Sequence, residues 1–311
     1  MSSLKALEEY YYNTHKNKIF CMELHVEDKE FCILYDYDKT DEIIKFVSNF
    51  TEYLPYYVYN GDALEHININ DKVSEELLKR SKRCWIGPET PKRDAKVNGI
   101  FGEVFLDFYE RIIKKNILAS TYATRRDFRS NGENHGFDNV LFKINNDEVE
   151  FVFAEAKFVT SKSAAKASLI NDIRGDKNPE VHKRMNGHLT IEFMDDYIYF
   201  IVNKNSFFHD NDKQLLKKFF NELNEVLINR DGKFVQFLID KNIKVNCVFF
   251  AIFNNNSVNP SDYIEVYRSI EEEAKSHLEA IGFSNYYIEI VFVPTSSKNM
   301  DIKEAISKSY E

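Results

Sequence analysis

Two β-rich segments, separated by a short turn signal, occupy the middle of this 311-residue chain. They cover residues 136–144 and 149–158, and the polar residues 145–148 lie between them. Apolar residues that alternate on both sides of such a turn predict an antiparallel β-hairpin. Few other arrangements would pair so many aromatic and β-branched residues over so short a stretch, so the hairpin is the first element we assign.

The position of the turn determines which residues face each other. With the turn centred between residues 146 and 147, the predicted opposed pairs are Ile144 with Val149, Phe142 with Phe151, Val140 with Phe153, and Asp138 with Glu155. Side chains alternate with a period of two, so Lys157 shares a face with Glu155. One face of the hairpin is therefore apolar, and it ends in two carboxylates and an ammonium.

Charged groups at the end of an apolar face need partners. Neighbouring carboxylates that lose water repel each other unless they are neutralised or bind a cation. Asp138 and Glu155 offer the oxygen ligands that Mg²⁺ takes at about 2.0–2.1 Å, and Mn²⁺ can substitute for it. Lys157 is placed to orient an attacking water or to stabilise charge on a phosphate. A purely structural ion cluster is the alternative.

Strand-like and helical patterns alternate along the chain and predict an α/β (α+β) fold with a mixed sheet flanked by helices. The predicted strands are 18–24, 31–37, 119–124, 197–203, 244–253 and 286–294, and the predicted helices are 41–50, 73–83, 99–116, 163–174, 212–229 and 261–281. A proline-containing segment at 87–91 is the best boundary signal. We therefore expect an α/β accessory region at 1–97 that docks a partner, and a main domain at 98–311.

The cysteines and the apolar runs bear on location. The four cysteines are far apart and show no C-x-x-C spacing, which predicts reduced thiols. The longest apolar run is seven residues, 247–253, far below the length of a membrane span. The N-terminal residues carry acids and no apolar stretch of a secretory signal. We expect a cytoplasmic protein that makes no use of a membrane.

Charge is unevenly distributed within a net charge of −9. Residues 1–75 hold 15 acids against 7 lysines, whereas residues 76–134 hold 8 acids against 13 Lys and Arg. The overall field does not steer the protein to nucleic acid, but a local basic strip can contact phosphates. The alternative is an ordinary solvated surface.

The arrangement of Asp138, Glu155 and Lys157 resembles the D…(D/E)-x-K signature of the restriction-endonuclease-like, or PD-(D/E)xK, nucleases. Phe137 stands where that family commonly has a proline. The family often adds a glutamate from the preceding helix, and Glu103 occupies such a helix here. The resemblance implies a restriction-endonuclease-like core at 98–311 and a metal held by Asp138, Glu155 and Glu103. The catalytic set that it implies consists of these three residues and Lys157.

Three segments together carry a narrower resemblance. GEVFLDFYERI, HGFDNVLF and FAEAKFVTSKSAA are similar to the nuclease-subunit family of the Hachiman anti-phage defence system, HamA, over residues 99–174. That family implies a bacterial nuclease paired with a superfamily-2 helicase (HamB-like) and acting on DNA. The helicase would use the ATP, because this chain contains no G-x-x-x-x-G-K motif.

Basic side chains near the hairpin are candidates for DNA contact. They are Arg125, Arg126 and Arg129 before the hairpin, and Lys162 and Lys166 after it. Trp85 and the aromatic residues at 53–59 can stack on bases, although packing in a core or at a partner interface is commoner. The sequence thus predicts a metal-dependent DNA endonuclease. The alternatives are a non-catalytic DNA-binding or regulatory subunit of a helicase complex and an RNase with the same site.

Overall fold

A mixed β-sheet forms the centre of the protein. The computed structural model describes residues 22–26, 29–33, 53, 57, 76, 94–118, 137–146, 148–175, 210–229, 234–254, 259 and 261–295. An antiparallel hairpin, β1 (Met22–Val26) and β2 (Lys29–Ile33), is separate from this sheet. The strands of the central sheet, in the order in which they lie side by side, are β3 (Ile117–Leu118), β4 (Asn139–Asn145), β5 (Glu148–Val159), β6 (Val245–Asn254) and β7 (Tyr286–Thr295).

Both strand directions occur in this sheet. The first three strands are antiparallel, whereas β5, β6 and β7 are parallel. Parallel neighbours need long crossover connections, and helices lie in those connections. The described helices are α1 (Asp94–Phe108), α2 (Lys162–Arg174), α3 (Asp210–Asn229), α4 (Phe234–Asp240) and α5 (Ser261–Ala280). The predicted α/β class, with a mixed sheet flanked by helices, is confirmed.

The predicted hairpin register is confirmed over the whole ladder between β4 and β5. Val140 pairs with Phe153, and the pairing continues in step to Asn145 and Glu148 beside the turn. Asn146, in the turn, has a φ of 51°, a left-handed conformation that asparagine tolerates better than most residues. The ladder ends at Asn139 and Ala154, one position before the predicted pair of Asp138 and Glu155.

The face that was predicted to be apolar packs into the main core. Phe142, Phe151 and Phe153 are fully buried there, together with apolar side chains of α2, α3, α4 and α5. β6 is apolar along almost its entire length, as expected of a central strand covered on both faces. Burial of these aromatic rings stabilises the sheet.

Helix α1 covers the opposite face of the sheet. At Gly102 it approaches β5 so closely that an added Cβ would lie 3.6 Å from the Cβ of Ala156 and 3.7 Å from that of Phe158. The missing side chain lets the helix backbone pack directly on the strand. Glu103 follows immediately and lies beside the end of β5 that carries Glu155.

Most of the predicted helices and strands that fall on described residues are found within a few positions. The predicted helix 99–116 differs: α1 begins earlier, at Asp94, and gives way to a π-helical turn, Tyr109–Ile113. Helix α4 was not predicted, because seven residues span only about two helical turns and give little periodic signal. The predicted helix 41–50 and the predicted strands 119–124 and 197–203 lie outside the described residues, as does all of the predicted helix 73–83 except Glu76.

Two tyrosines from the predicted accessory region pack on α1. Tyr53 and Tyr57 are both buried, so these two residues show core packing, one of the predicted uses of the aromatics at 53–59. The hydroxyl of Tyr53 donates to Asp107 Oδ1 at 2.7 Å, and its ring meets Phe108 edge-on. The division at residues 97 and 98 stays a prediction, but part of the first region contributes to the surroundings of α1.

Candidate active site

Asp138 is held in position by the backbone of the neighbouring strand. Its Oδ2 accepts a hydrogen bond from the N–H of Ala156 at 2.7 Å, just beyond the last paired residues of the hairpin. Phe137, which directly precedes Asp138, is held by packing in the core: it is 3% exposed, and its ring lies 5.3 Å from that of Phe153. Phe137 is therefore a core residue, and it holds the start of β4 against the sheet.

Lys157 lies between two carboxylates. Its Nζ is 2.5 Å from Glu155 Oε1 and 2.6 Å from Asp172 Oδ2. Burial alone lowers the pKa of an ammonium, but the charges of Glu155, Asp138 and Asp172 together raise the pKa of Lys157 well above its ordinary value. The side chain is 21% exposed, whereas Glu155 beside it is 3% exposed. Lys157 is thus a fixed positive charge with access to solvent.

Negative charge outweighs positive charge at this end of the hairpin. Burial raises the pKa of Asp138 well above its usual range, and the charges of Glu155 and Glu103 raise it further. Lys157 and the N–H of Ala156 lower that pKa without cancelling the rise. A site with this balance gains from an additional cation, because the cation relieves the repulsion among its carboxylates.

Glu103 on α1 is close enough to the hairpin for its charge to act on Asp138. It is half-buried, and its Oε2 accepts a hydrogen bond from the hydroxyl of Tyr57 at 3.3 Å. The four residues predicted for the site therefore converge on one end of β5. Tyr57 is an additional neighbour that no motif indicated, since 46 residues separate it from its partner.

Asp172 is the residue that sequence reasoning missed. It lies near the end of α2, a helix that begins at the N-cap Ser161 and ends at Gly175, which has a φ of 76°. Asp172 is buried on the same side of this helix as Leu169 and Ile173. An acid at helical spacing within an apolar stripe is unusual, and this signal could have identified it.

Carboxylate oxygens of this kind fit a hard divalent cation. Among the described residues, no group of three or more His, Cys, Asp or Glu side chains is close enough to hold a metal ion unaided. Mg²⁺ commonly takes one or two carboxylates and completes its six ligands with water and phosphate. Asp138 and Glu155 suit that pattern, with Glu103 near, and the donor set lacks the nitrogen and sulfur ligands typical of zinc.

The five basic residues predicted to contact DNA have different outcomes. Arg125, Arg126 and Arg129 lie outside the described residues. Lys162 donates to the backbone oxygen of Asp262, and Lys166 donates to Ser269 Oγ at 2.9 Å. Both lysines thus connect α2 to α5. Their contact with DNA stays a prediction.

No described helix combines the length and the apolar composition that crossing a membrane requires.

The chain is an α/β protein with a helix-flanked mixed sheet, whose central hairpin ends in an acid–lysine cluster. A family model described as HamA matches residues 11–309, and the chain belongs to the HamA family. This family is part of the Hachiman system, so the protein is associated with antiviral defence. No curated protein and no solved structure gives a significant match.

Proposed function

We propose that this protein is the nuclease of a Hachiman defence system, a Mg²⁺-dependent endonuclease that hydrolyses phosphodiester bonds in DNA and works with a superfamily-2 helicase. The observation that carries the proposal is the convergence of Lys157 and Glu155 with Asp138 at one end of a hairpin. Membership of the HamA family supports the defence role and the helicase partner. A restriction-endonuclease-like core is part of the same proposal.

Each residue has a role in this chemistry. Asp138 and Glu155 would hold a Mg²⁺ ion, for which Mn²⁺ could substitute, and Glu103 would assist directly or through a water. When bound, such an ion would supply charge that polarises the phosphate and lowers the pKa of a water. Lys157 orients the attacking water and offsets negative charge that builds up on the phosphate. The buried surroundings strengthen these interactions, since a low dielectric screens charge less than water does.

The basic strip and the partner complete the proposal. Arg125, Arg126 and Arg129, together with Lys162 and Lys166, contribute phosphate contacts that carry no sequence preference. The helicase supplies the ATP-driven step. The protein works in the cytoplasm, where a net charge of −9 limits binding to host DNA until the partner engages.

One observation favours a different function. Lys157 already satisfies two carboxylates, which is how a structural ion cluster would be built. In that case the protein would be a regulatory or DNA-binding subunit of the helicase complex without hydrolytic activity. An RNase with the same site differs from the main proposal only in its substrate.

A single set of incubations separates these functions. The purified protein is mixed with plasmid, single-stranded DNA or RNA, in Mg²⁺ or EDTA, with and without a superfamily-2 helicase subunit of a Hachiman system. Mg²⁺-dependent cleavage of DNA, either alone or with the helicase and ATP, supports the proposal. Cleavage of RNA alone identifies the RNase. No cleavage under any condition, with DNA binding retained, identifies the regulatory subunit.

A further inference from the structure

The closest ionic contacts at the site join one ammonium group, that of Lys157, to two carboxylates that come from different elements. Glu155 comes from β5 and Asp172 from the last turn of α2, and both lie within 2.6 Å of Lys157 Nζ. In the proposed chemistry, Glu155 binds a divalent cation while Lys157 keeps its position. An ammonium and a divalent cation on the same carboxylate repel each other, so their simultaneous contact with Glu155 is unfavourable.

We propose that Asp172 is a positioning residue that retains the Lys157 ammonium when Glu155 engages a divalent cation. This inference rests on the proposed function. Asp172 is not a ligand in this account and touches no substrate. Its carboxylate offers Lys157 a second ionic contact at 2.6 Å, so that Lys157 can release Glu155 without losing all of its ionic partners.

The anchoring of α2 makes Asp172 a suitable partner. The helix is capped by Ser161, whose Oγ accepts from the N–H of Ala164 at 3.1 Å. Its other end is tied to α5 by Arg174, whose guanidinium makes two hydrogen bonds to Glu273, at 2.8 and 2.7 Å. A carboxylate in the last turn of this helix, next to the tie between Arg174 and Glu273, is expected to stay in place when its neighbour on β5 changes partner.

Removal of Asp172 has a defined consequence. In Asp172→Asn, Lys157 keeps its close ion pair with Glu155 and loses the one with Asp172, so a cation must break the remaining pair to gain the same oxygen atoms. Cation binding then becomes weaker. In Lys157→Met the competing ammonium is absent, so the same Asp172→Asn change has little effect on cation affinity.

The test is a double-mutant cycle in which the affinity of the full-length protein for Mn²⁺ alone is measured by electron paramagnetic resonance. Asp172→Asn is expected to weaken Mn²⁺ binding by roughly tenfold, the scale of one charge-assisted hydrogen bond, and to have less than about a twofold effect in the Lys157→Met background. Asp172→Glu keeps the charge and is expected to bind within about threefold of wild type, which also covers the case in which the asparagine variant does not fold.

The outcomes are distinct. If wild type binds Mn²⁺ but Asp172→Asn binds it equally well, the positioning role is overturned and the proposed function stands. Equal weakening with and without Lys157 overturns it as well, since Asp172 would then act without the lysine. An Asp172→Glu variant that binds more than tenfold weaker than wild type contradicts it too. If wild type binds no Mn²⁺ at any concentration, the metal-dependent function itself fails, and this inference fails with it.

Discussion

Asp138 accepts a hydrogen bond from the backbone N–H of Ala156, 2.7 Å away, at the point where the ladder between β4 and β5 has just ended. This side-chain contact continues the pairing of the two strands where the backbone contacts end. It directs the carboxylate of Asp138 towards Glu155 and Lys157, which flank Ala156 along β5. The position of Asp138 is therefore secured by the backbone of the strand that carries the other two groups.

Loss of the charges at Glu155 or Lys157 is expected to abolish cleavage. Glu155→Gln and Lys157→Met each remove a charge with little change in volume, and each should lower the rate of DNA cleavage by at least about a hundredfold, the scale of losing one preorganised electrostatic contact. Plasmid cleavage in Mg²⁺ measures this effect. Full activity in either variant would contradict the assignment.

Lys244→Met provides the matched control. Lys244 also pairs with a glutamate of β5, since its Nζ lies 3.3 Å from Glu150 Oε1, but at the other end of that strand. Its removal costs an ion pair of the same type without touching the site. This variant should cleave at the wild-type rate, and its melting temperature shows how much stability such a pair contributes.

Phe137 is expected to matter for stability because its ring is buried in the core. Phe137→Ala removes a buried ring from its packing against Phe153, at a cost of about 3–5 kcal/mol in the free energy of unfolding. Phe137→Pro should cost a similar amount, because proline cannot fill the space of the ring. Urea denaturation measures both, and a loss below about 1 kcal/mol would contradict the anchoring role.

Glu110, in the π-helical turn, should make stability depend on pH. Burial and, to a smaller extent, the charge of Glu289 raise its pKa from 4.5 to about 8, although a hydrogen bond from Asn116 opposes the rise. The folded state therefore binds the proton more tightly than the unfolded state. The corresponding stability is fully present below about pH 4.5 and is lost as the pH rises towards 8.

Glu110→Gln isolates this effect, because the amide cannot ionise. Wild type should lose at least about 5 °C in melting temperature between pH 5.5 and pH 8.5 relative to the variant. The other acids titrate in both proteins, so the difference between the two curves reports Glu110. Parallel curves for the two proteins would show that this carboxyl does not titrate with a raised pKa.

The two tyrosines that contact α1 should differ in their contribution to stability. Tyr53→Phe removes a buried hydrogen bond to Asp107 at 2.7 Å, and the loss should cost about 1–3 kcal/mol. Tyr57→Phe removes a longer contact, 3.3 Å to Glu103, and should cost less than 1 kcal/mol by the same reasoning. Denaturation of the two single variants gives the comparison, and equal losses would contradict it.

Local pattern was sufficient for the hairpin. Period-two alternation on both sides of a turn left only one register that buries Phe142 and Phe153 on the same face, and a shift by one residue would have placed them on opposite faces. The same reasoning located Asp138, Glu155 and Lys157 at one end. The predicted pairing of Asp138 with Glu155 differs from the structure in one detail: Asp138 contacts the backbone of Ala156 and does not extend the ladder.

Contacts between distant segments were beyond such reasoning. The sequence by itself determined the central hairpin and the chemical types at its end, because strand alternation and turn chemistry act over a few residues. Only the tertiary structure decided that Asp172 shares Lys157 with Glu155 and that Tyr57 reaches Glu103. Those contacts depend on how α1 and α2 pack against β5, and that packing is set by the apolar faces that the whole sheet buries together.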